Sequence, residues 1–200
     1  MLQLQSRDRQ VLRFLEDHRA ITTTQATNIF FDGCKRSATR RLNQLEDAAI
    51  LKSYTRGKNK VYRLIDEVKE LSEHDVLIYD FYSWIYESGG EVKEFKKNPH
   101  YFKNMLIPDA LVKFRLPYEG QVYTIYTLLE LDLNHYTDNM KMIWYEKLYR
   151  EQVLKSWCGA AEFPFIIIAR PTAGIRYNSN NFNCTYCNLK FENLDRLLLS

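Results

Sequence analysis

Asp109, Glu130 and Asp132 are the carboxylates of this 200-residue chain whose spacing could do chemistry. Asp109 follows Pro108 at the head of a strand candidate, residues 108–116. Glu130 and Asp132 lie two apart near the end of the next run, 122–133, and in a strand that spacing points both to one face of the sheet. Carboxylates converging at strand ends could hold a hard divalent cation such as Mg²⁺, which prefers oxygen ligands. Such an ion could activate water against a phosphodiester. Lys147 is the cation available to this set. With Glu151 it forms an i,i+4 pair in the middle of an apolar stripe of Met140, Ile143, Trp144, Leu154 and Cys158. A charged pair there must snorkel, pair up, or point into a polar pocket against the sheet.

A second set of side chains suits a polyanion. On the wheel of a helix from near Ser37 to about Ala49, Ala38, Leu42, Leu45 and Ala49 share a narrow arc. Arg40 lies opposite, flanked by Arg36, Ser37, Asn43 and Gln44, with Thr39 next to it in the chain. Guanidinium and amide groups are those that pair with guanine and adenine edges in the major groove. Arg41, at the side of the helix, suits a phosphate contact. Two β-branched and aromatic runs, 50–55 and 60–65, flank a Gly-containing turn at 56–59 and predict a hairpin. Its tip would carry Arg56, Lys58 and Lys60, a basic wing for the sugar-phosphate backbone. The bland alternative is a small helical bundle with a solvated basic face. The order helix, helix, Arg-rich helix, basic hairpin favours duplex DNA as the partner.

These residues need a scaffold. Residues 7–19 read as a helix through Val11, Leu12 and Leu15. Residues 22–24 supply the N-cap of a second helix through Phe30, with Gln25 placed to complete a capping box. Asp32-Gly33 breaks it. The first domain is therefore expected at 1–66. Residues 66–88 read as a helix ended by Gly89-Gly90, so that 67–90 is a helical connector, serving either as a dimerisation helix or packed on its own second domain. From 91 to 200 the order is strand (91–97), strand (108–116), strand (122–133), helix (138–157) and buried strand (163–170). That β-β-β-α-β order indicates an α/β domain with a crossover helix, and the chain as a whole a mixed α+β or α/β protein.

Charge is divided the same way. The net +3 conceals 13 Lys/Arg against 6 Asp/Glu in residues 1–65 and 15 against 19 in the remainder. A basic front joined to a mildly acidic body is the footprint of a DNA-binding module on a larger partner domain. The composition, 46% hydrophobic with 7 Gly and 5 Pro, excludes a disordered tail. No run approaches the roughly 18–20 apolar residues of a membrane span, and residues 1–8 have no apolar signal region. A cytoplasmic protein with four reduced Cys is the expectation. Cys184 and Cys187 form a single CxxC, short of the four ligands of a structural zinc. The four His (His18, His74, His100, His135) are dispersed, which argues against a relaxase in the strict sense.

The strand–strand–strand–helix–strand order with Pro108-Asp109 and then Glu130-x-Asp132 resembles the restriction-endonuclease core called PD-(D/E)xK. That resemblance implies metal ligands at Asp109 and Glu130, and a lysine that stabilises the attacking water or phosphate. Asp132 stands where the motif has Lys; some members move that lysine to the following helix, which would make Lys147 the catalytic cation. The whole chain resembles the replication-relaxation family of Gram-positive plasmids and integrative elements. The residues that carry this are Arg40-Arg41-Leu42-x-x-Leu45, His74, Ile107-Pro108-Asp109-Ala110, Glu130-Leu131-Asp132 and Lys147-x-Tyr149. The resemblance implies an N-terminal winged helix-turn-helix, a helical connector and a restriction-endonuclease-like second domain, acting in replication, maintenance or transfer of a mobile element or phage. Partners would be double-stranded DNA, a second copy of the chain, and other replication or transfer proteins. Three hypotheses follow: a DNA-binding protein with an inactive nuclease-like domain and no cofactor, a Mg²⁺-dependent endonuclease, and a repressor with a partner-sensing second domain. The missing lysine favours the first, because developing charge at the phosphate loses a cationic stabiliser.

Overall fold

Thr22 and Gln25 close the capping box from both sides. The Thr22 hydroxyl accepts from the Gln25 N–H at 3.1 Å, and the Gln25 carbonyl oxygen accepts from the Thr22 N–H at 2.9 Å. This satisfies two otherwise orphaned donors at the start of a helix and fixes helix α2, Thr23–Phe30. The computed structural model, which describes residues 2–133, 136–172 and 176–199, places α2 between α1, Ser6–His18, and α3, Lys35–Asp47. Ala38, Leu42 and Leu45 of α3 are fully buried, as their helical spacing requires. Ala49 is not part of that face. The helix is capped at Ala48, and Ala49 is exposed with φ +55.

Strands β2, Leu51–Arg56, and β3, Asn59–Leu64, pair antiparallel with Arg56 opposite Asn59, so the hairpin turn is Gly57-Lys58 alone. A three-residue strand β1, Ala20–Thr22, adds to the far edge of β3, giving the order β1-β3-β2. The connector differs from its expectation. Helix α4 spans only Glu73–Glu87, because Ser72 and Asp75 exchange side-chain-to-backbone hydrogen bonds (3.0 and 3.3 Å) that start the helix there. It packs on α2 within a compact unit of residues Met1–Glu87. The Gln25 amide donates to the Val76 carbonyl at 3.0 Å and to the Asp80 carboxylate at 2.7 Å. Asn28 donates to the Ser83 hydroxyl at 3.1 Å.

The second unit, Ser88–Ser200, is built on a five-stranded sheet in the order β4-β5-β6-β7-β8. Strands β4 (Glu91–Lys97), β5 (Ala110–Tyr118) and β6 (Gln121–Leu131) form an antiparallel meander. The two-residue turn at Glu119-Gly120 uses φ +48 and +79, the conformation that matches the strand twist. Strands β7 (Phe165–Ala169) and β8 (Cys184–Cys187) then join parallel to β6. The crossover to β7 runs through α5, Asn139–Arg150, and the short α6, Lys155–Cys158. Tyr145 and Leu148 of α5 pack with Leu128 of β6 and Ile166 and Ile168 of β7, all fully buried. Helix α7, Leu194–Leu199, lies against β5 and β8. The chain is thus a mixed α+β protein, with seven α-helices and two sheets among the described residues.

The expected single helix 138–157 is broken. Helix α5 ends at Arg150 with Glu151 as its C-cap, and Gln152 takes φ +49 before α6 begins. The buried face of α5 is Met142, Tyr145 and Leu148, whereas Met140 and Ile143 are more than half exposed. A wheel drawn straight through residue 158 rotates the stripe onto the wrong face.

Candidate functional site

Helix α3 separates its residues cleanly. Its apolar arc faces the protein, while Arg36, Arg40 and Gln44 are exposed, and Ser37, Thr39 and Asn43 are half-buried. Arg36 and Arg40 have no hydrogen-bond or ion-pair partner among the described residues. Lys58 is likewise exposed at the hairpin tip and without such a partner. These three cations are therefore available to an external anion.

The other expected contacts are already engaged inside the fold. Arg41 closes onto Asp8 with Nε–Oδ1 at 2.9 Å and Nη2–Oδ2 at 2.5 Å, and donates further to the Gln44 side chain and the Gln3 carbonyl. All three of its nitrogens are thus used, which sets it apart from a phosphate contact. Lys60 turns to α3, pairing with Glu46 at 2.7 Å and Asn43 Oδ1 at 3.1 Å. The Tyr62 hydroxyl donates to that same Asn43 oxygen at 2.9 Å, so Asn43 has its amide nitrogen left to offer. Arg56 donates to the Leu71 carbonyl. Residues 66–87, which follow the hairpin, hold one Lys against seven Asp/Glu. Exposed cations of the first unit lie on α3 and the hairpin tip and also on α1, which carries Arg7, Arg9 and Arg13 at exposed positions.

In the second unit the carboxylates are positioned by the ends of β5 and β6. Asp109 precedes β5 and accepts the Leu131 N–H at 2.6 Å. Glu130 lies opposite Ile168 of β7 and points under α5, 1% exposed. The Asp138 side chain caps α5 through the Lys141 N–H at 2.8 Å, and this first turn delivers the Lys141 ammonium to Glu130 Oε2. One turn on, the Tyr145 hydroxyl donates to Glu130 Oε1. Burial pushes the Glu130 carboxyl up to about 7; the Lys141 charge opposes that shift and the Asp109 charge adds to it. Asp132 is held separately. It accepts from the Thr137 N–H and hydroxyl, both at 2.8 Å, and pairs with Arg170 at 2.8 Å.

Lys147 is not part of this cluster. It is a surface side chain, 3.7 Å from Glu151, lying over the Phe102 and Trp144 rings. The lysine that meets Glu130 is Lys141, which the helical wheel did not single out; its spacing from the Asp138 cap was the available signal. Both Glu130 oxygens, both Asp132 oxygens and one Asp109 oxygen already face N–H, O–H or cationic groups, and no group of three or more His, Cys, Asp or Glu among the described residues could hold a metal. Cys184 and Cys187 begin and end β8. Three residues apart in a strand, they point to opposite faces, which precludes a shared ligand. Among the histidines, His135 lies outside the described residues.

No protein-family model matches the chain, and no curated protein matches it either. No helix among the described residues is long and apolar enough to cross a membrane.

Proposed function

We propose that the first unit is a winged helix-turn-helix that binds duplex DNA, with α3 as the recognition helix in the major groove and the β2–β3 hairpin as the wing. The observation that carries this reading is the pair of exposed, partnerless guanidiniums on α3, Arg36 and Arg40, on the face away from Ala38, Leu42 and Leu45. They lie one turn apart, and Gln44 continues the row. Arginine at such positions reads guanine bidentately, glutamine reads adenine, and Lys58 adds a backbone contact. The second unit acts in this reading as a non-catalytic, nuclease-like domain, since its carboxylates are spent on Lys141, Tyr145, Thr137 and Arg170. The biological setting proposed is replication, maintenance or transfer of a plasmid, integrative element or phage in the cytoplasm, with a second copy or other replication proteins as partners.

Selection of bound duplexes from a random pool tests the reading. An enriched motif bound at least a hundredfold more tightly than random duplex is expected; recovery of no motif would contradict it. Incubating supercoiled plasmid with Mg²⁺ or Mn²⁺ separates the endonuclease alternative. Cleavage lost in both Asp109→Ala and Glu130→Ala would make the second unit an enzyme.

A further inference from the structure

We propose that the carboxyl ends of β7 and β8 form a binding pocket for a phosphate monoester carried on a small molecule. The two parallel strands finish side by side at Ala169 and Cys187, and the next N–H, that of Arg170, donates to the Cys187 carbonyl at 3.0 Å. The cavity here holds about 240 Å³ and is lined by Arg170, Thr172, Arg176, Tyr186 and Asn188.

The pocket is built rather than incidental. Tyr186 is clamped by the backbone of Tyr177, whose N–H donates to the tyrosine oxygen at 2.6 Å and whose carbonyl accepts its hydroxyl at 3.1 Å. Two guanidiniums then converge on the fixed ring, Arg170 at 4.8 Å and Arg176 at 5.6 Å from its centroid. Arg170 is itself buried, its side chain 5% exposed, and is oriented by Asp132. Asp132 is in turn held by two hydrogen bonds from Thr137. Arg170 and Arg176 thus bring two positive charges to this ring, with Asp132 beside Arg170. Like charges gathered on one ring favour an anion that both can share, and the guanidinium fork matches phosphate oxygens bidentately. The volume sits below the roughly 300–1,000 Å³ of pockets that enclose whole drug-sized ligands. It suits a phosphoryl group with a small carrier. The site lies in the second unit and does not depend on the DNA-binding reading.

Calorimetric titration of the full chain with ribose 5-phosphate tests the site, with inorganic phosphate as competitor and ribose and an eight-residue oligo(dT) lacking terminal phosphates as controls. Saturable binding of ribose 5-phosphate, displaced by phosphate, is expected. It should weaken at least tenfold in Arg176→Ala, an exposed position, and in Arg170→Lys, which keeps the charge beside Asp132, and stay unchanged in Arg40→Ala. Thermal melts establish that each variant is folded. Absence of saturable binding, binding undiminished in Arg176→Ala, or binding of oligo(dT) in place of ribose 5-phosphate would each overturn the proposal.

Discussion

Arg41 on α3 and Asp8 on α1 form a two-pronged ion pair, with guanidinium nitrogens 2.9 and 2.5 Å from the two carboxylate oxygens and Asp8 fully buried. The Gln5 N–H adds a third bond, at 2.6 Å, to the same carboxylate. The pair ties the helix that carries Arg36 and Arg40 to the first helix of the unit, so it positions the exposed guanidiniums without touching a ligand. Removing one partner of a buried pair leaves an uncompensated charge, a loss on the order of 3–5 kcal/mol. Arg41→Ala should destabilise the protein by about 3 kcal/mol in urea denaturation, and a loss under 1 kcal/mol would show the pair to be a surface contact. Burial works to raise the Asp8 pKa, but the hydrogen bonds from Arg41 and Gln5 outweigh it and hold it low. The stabilisation is therefore present above the ordinary carboxylate value of about 3.9 and lost as pH falls through the folded value.

Gln25 does two jobs with one side chain, its oxygen capping α2 and its nitrogen bridging to Val76 and Asp80 of α4. Gln25→Glu keeps the cap acceptor but removes both donors and sets a second carboxylate beside Asp80. Burial already raises the Asp80 carboxyl, so two ionised acids at that distance are disfavoured. The variant should lose about 2–3 kcal/mol at pH 7 and recover part of it by pH 5, when the pair shares a proton. Thermal melts at the two pH values check this; equal losses at both would rule out the carboxylate contact.

Features set by near neighbours in the chain were legible in the sequence. The Thr22–Gln25 capping box, the Ala38–Leu42–Leu45 face and the Glu119-Gly120 turn that joins β5 to β6 each follow from residues within a few positions of one another. What escaped was decided by contacts across the fold. Strand β1 is three residues long and exists because β3 offers it an edge. Arg41 and Lys60 read as free cations until α1 and Glu46 come beside them. The apolar stripe drawn around Lys147 was misplaced because the helical wheel ran unbroken through Gln152, where the backbone turns left-handed. The Lys141–Glu130 contact joins a strand to a helix eleven positions away, a pairing that no period of strand or helix signals.

Three lysine and arginine positions should respond differently in DNA binding, because only some are free. Arg40→Ala should reduce binding to the selected site by about 1–3 kcal/mol and relax specificity, with little change on random duplex. Lys58→Ala should weaken binding to all sequences alike and reduce the salt slope by about 1. Lys60, already paired with Glu46 and Asn43, should when changed to Ala alter thermal stability more than affinity. Fluorescence anisotropy at several salt concentrations makes the comparison. Equal loss on cognate and random duplex for Arg40→Ala would remove α3 from the major groove.

Glu130 sets a pH dependence of opposite sign to that of Asp8. Burial lifts its carboxyl from the ordinary 4.5 to about 7, so between those values the folded protein binds a proton that the unfolded chain releases. Stability contributed by this group therefore falls as pH rises through that window, by roughly 3 kcal/mol in all, and is fully retained below it. Lys141 and Tyr145 limit the loss by stabilising the carboxylate, so Tyr145→Phe, which removes one donor, should push the carboxyl higher and extend the decline to more alkaline pH. Glu130→Gln should abolish this component. Urea denaturation from pH 4.5 to 8.5 is the measurement, with the wild-type curve declining relative to that of Glu130→Gln across the middle of the range. Parallel curves for the two proteins would mean that Glu130 keeps an ordinary pKa, and that Lys141 and Tyr145 hold a carboxylate ionised throughout.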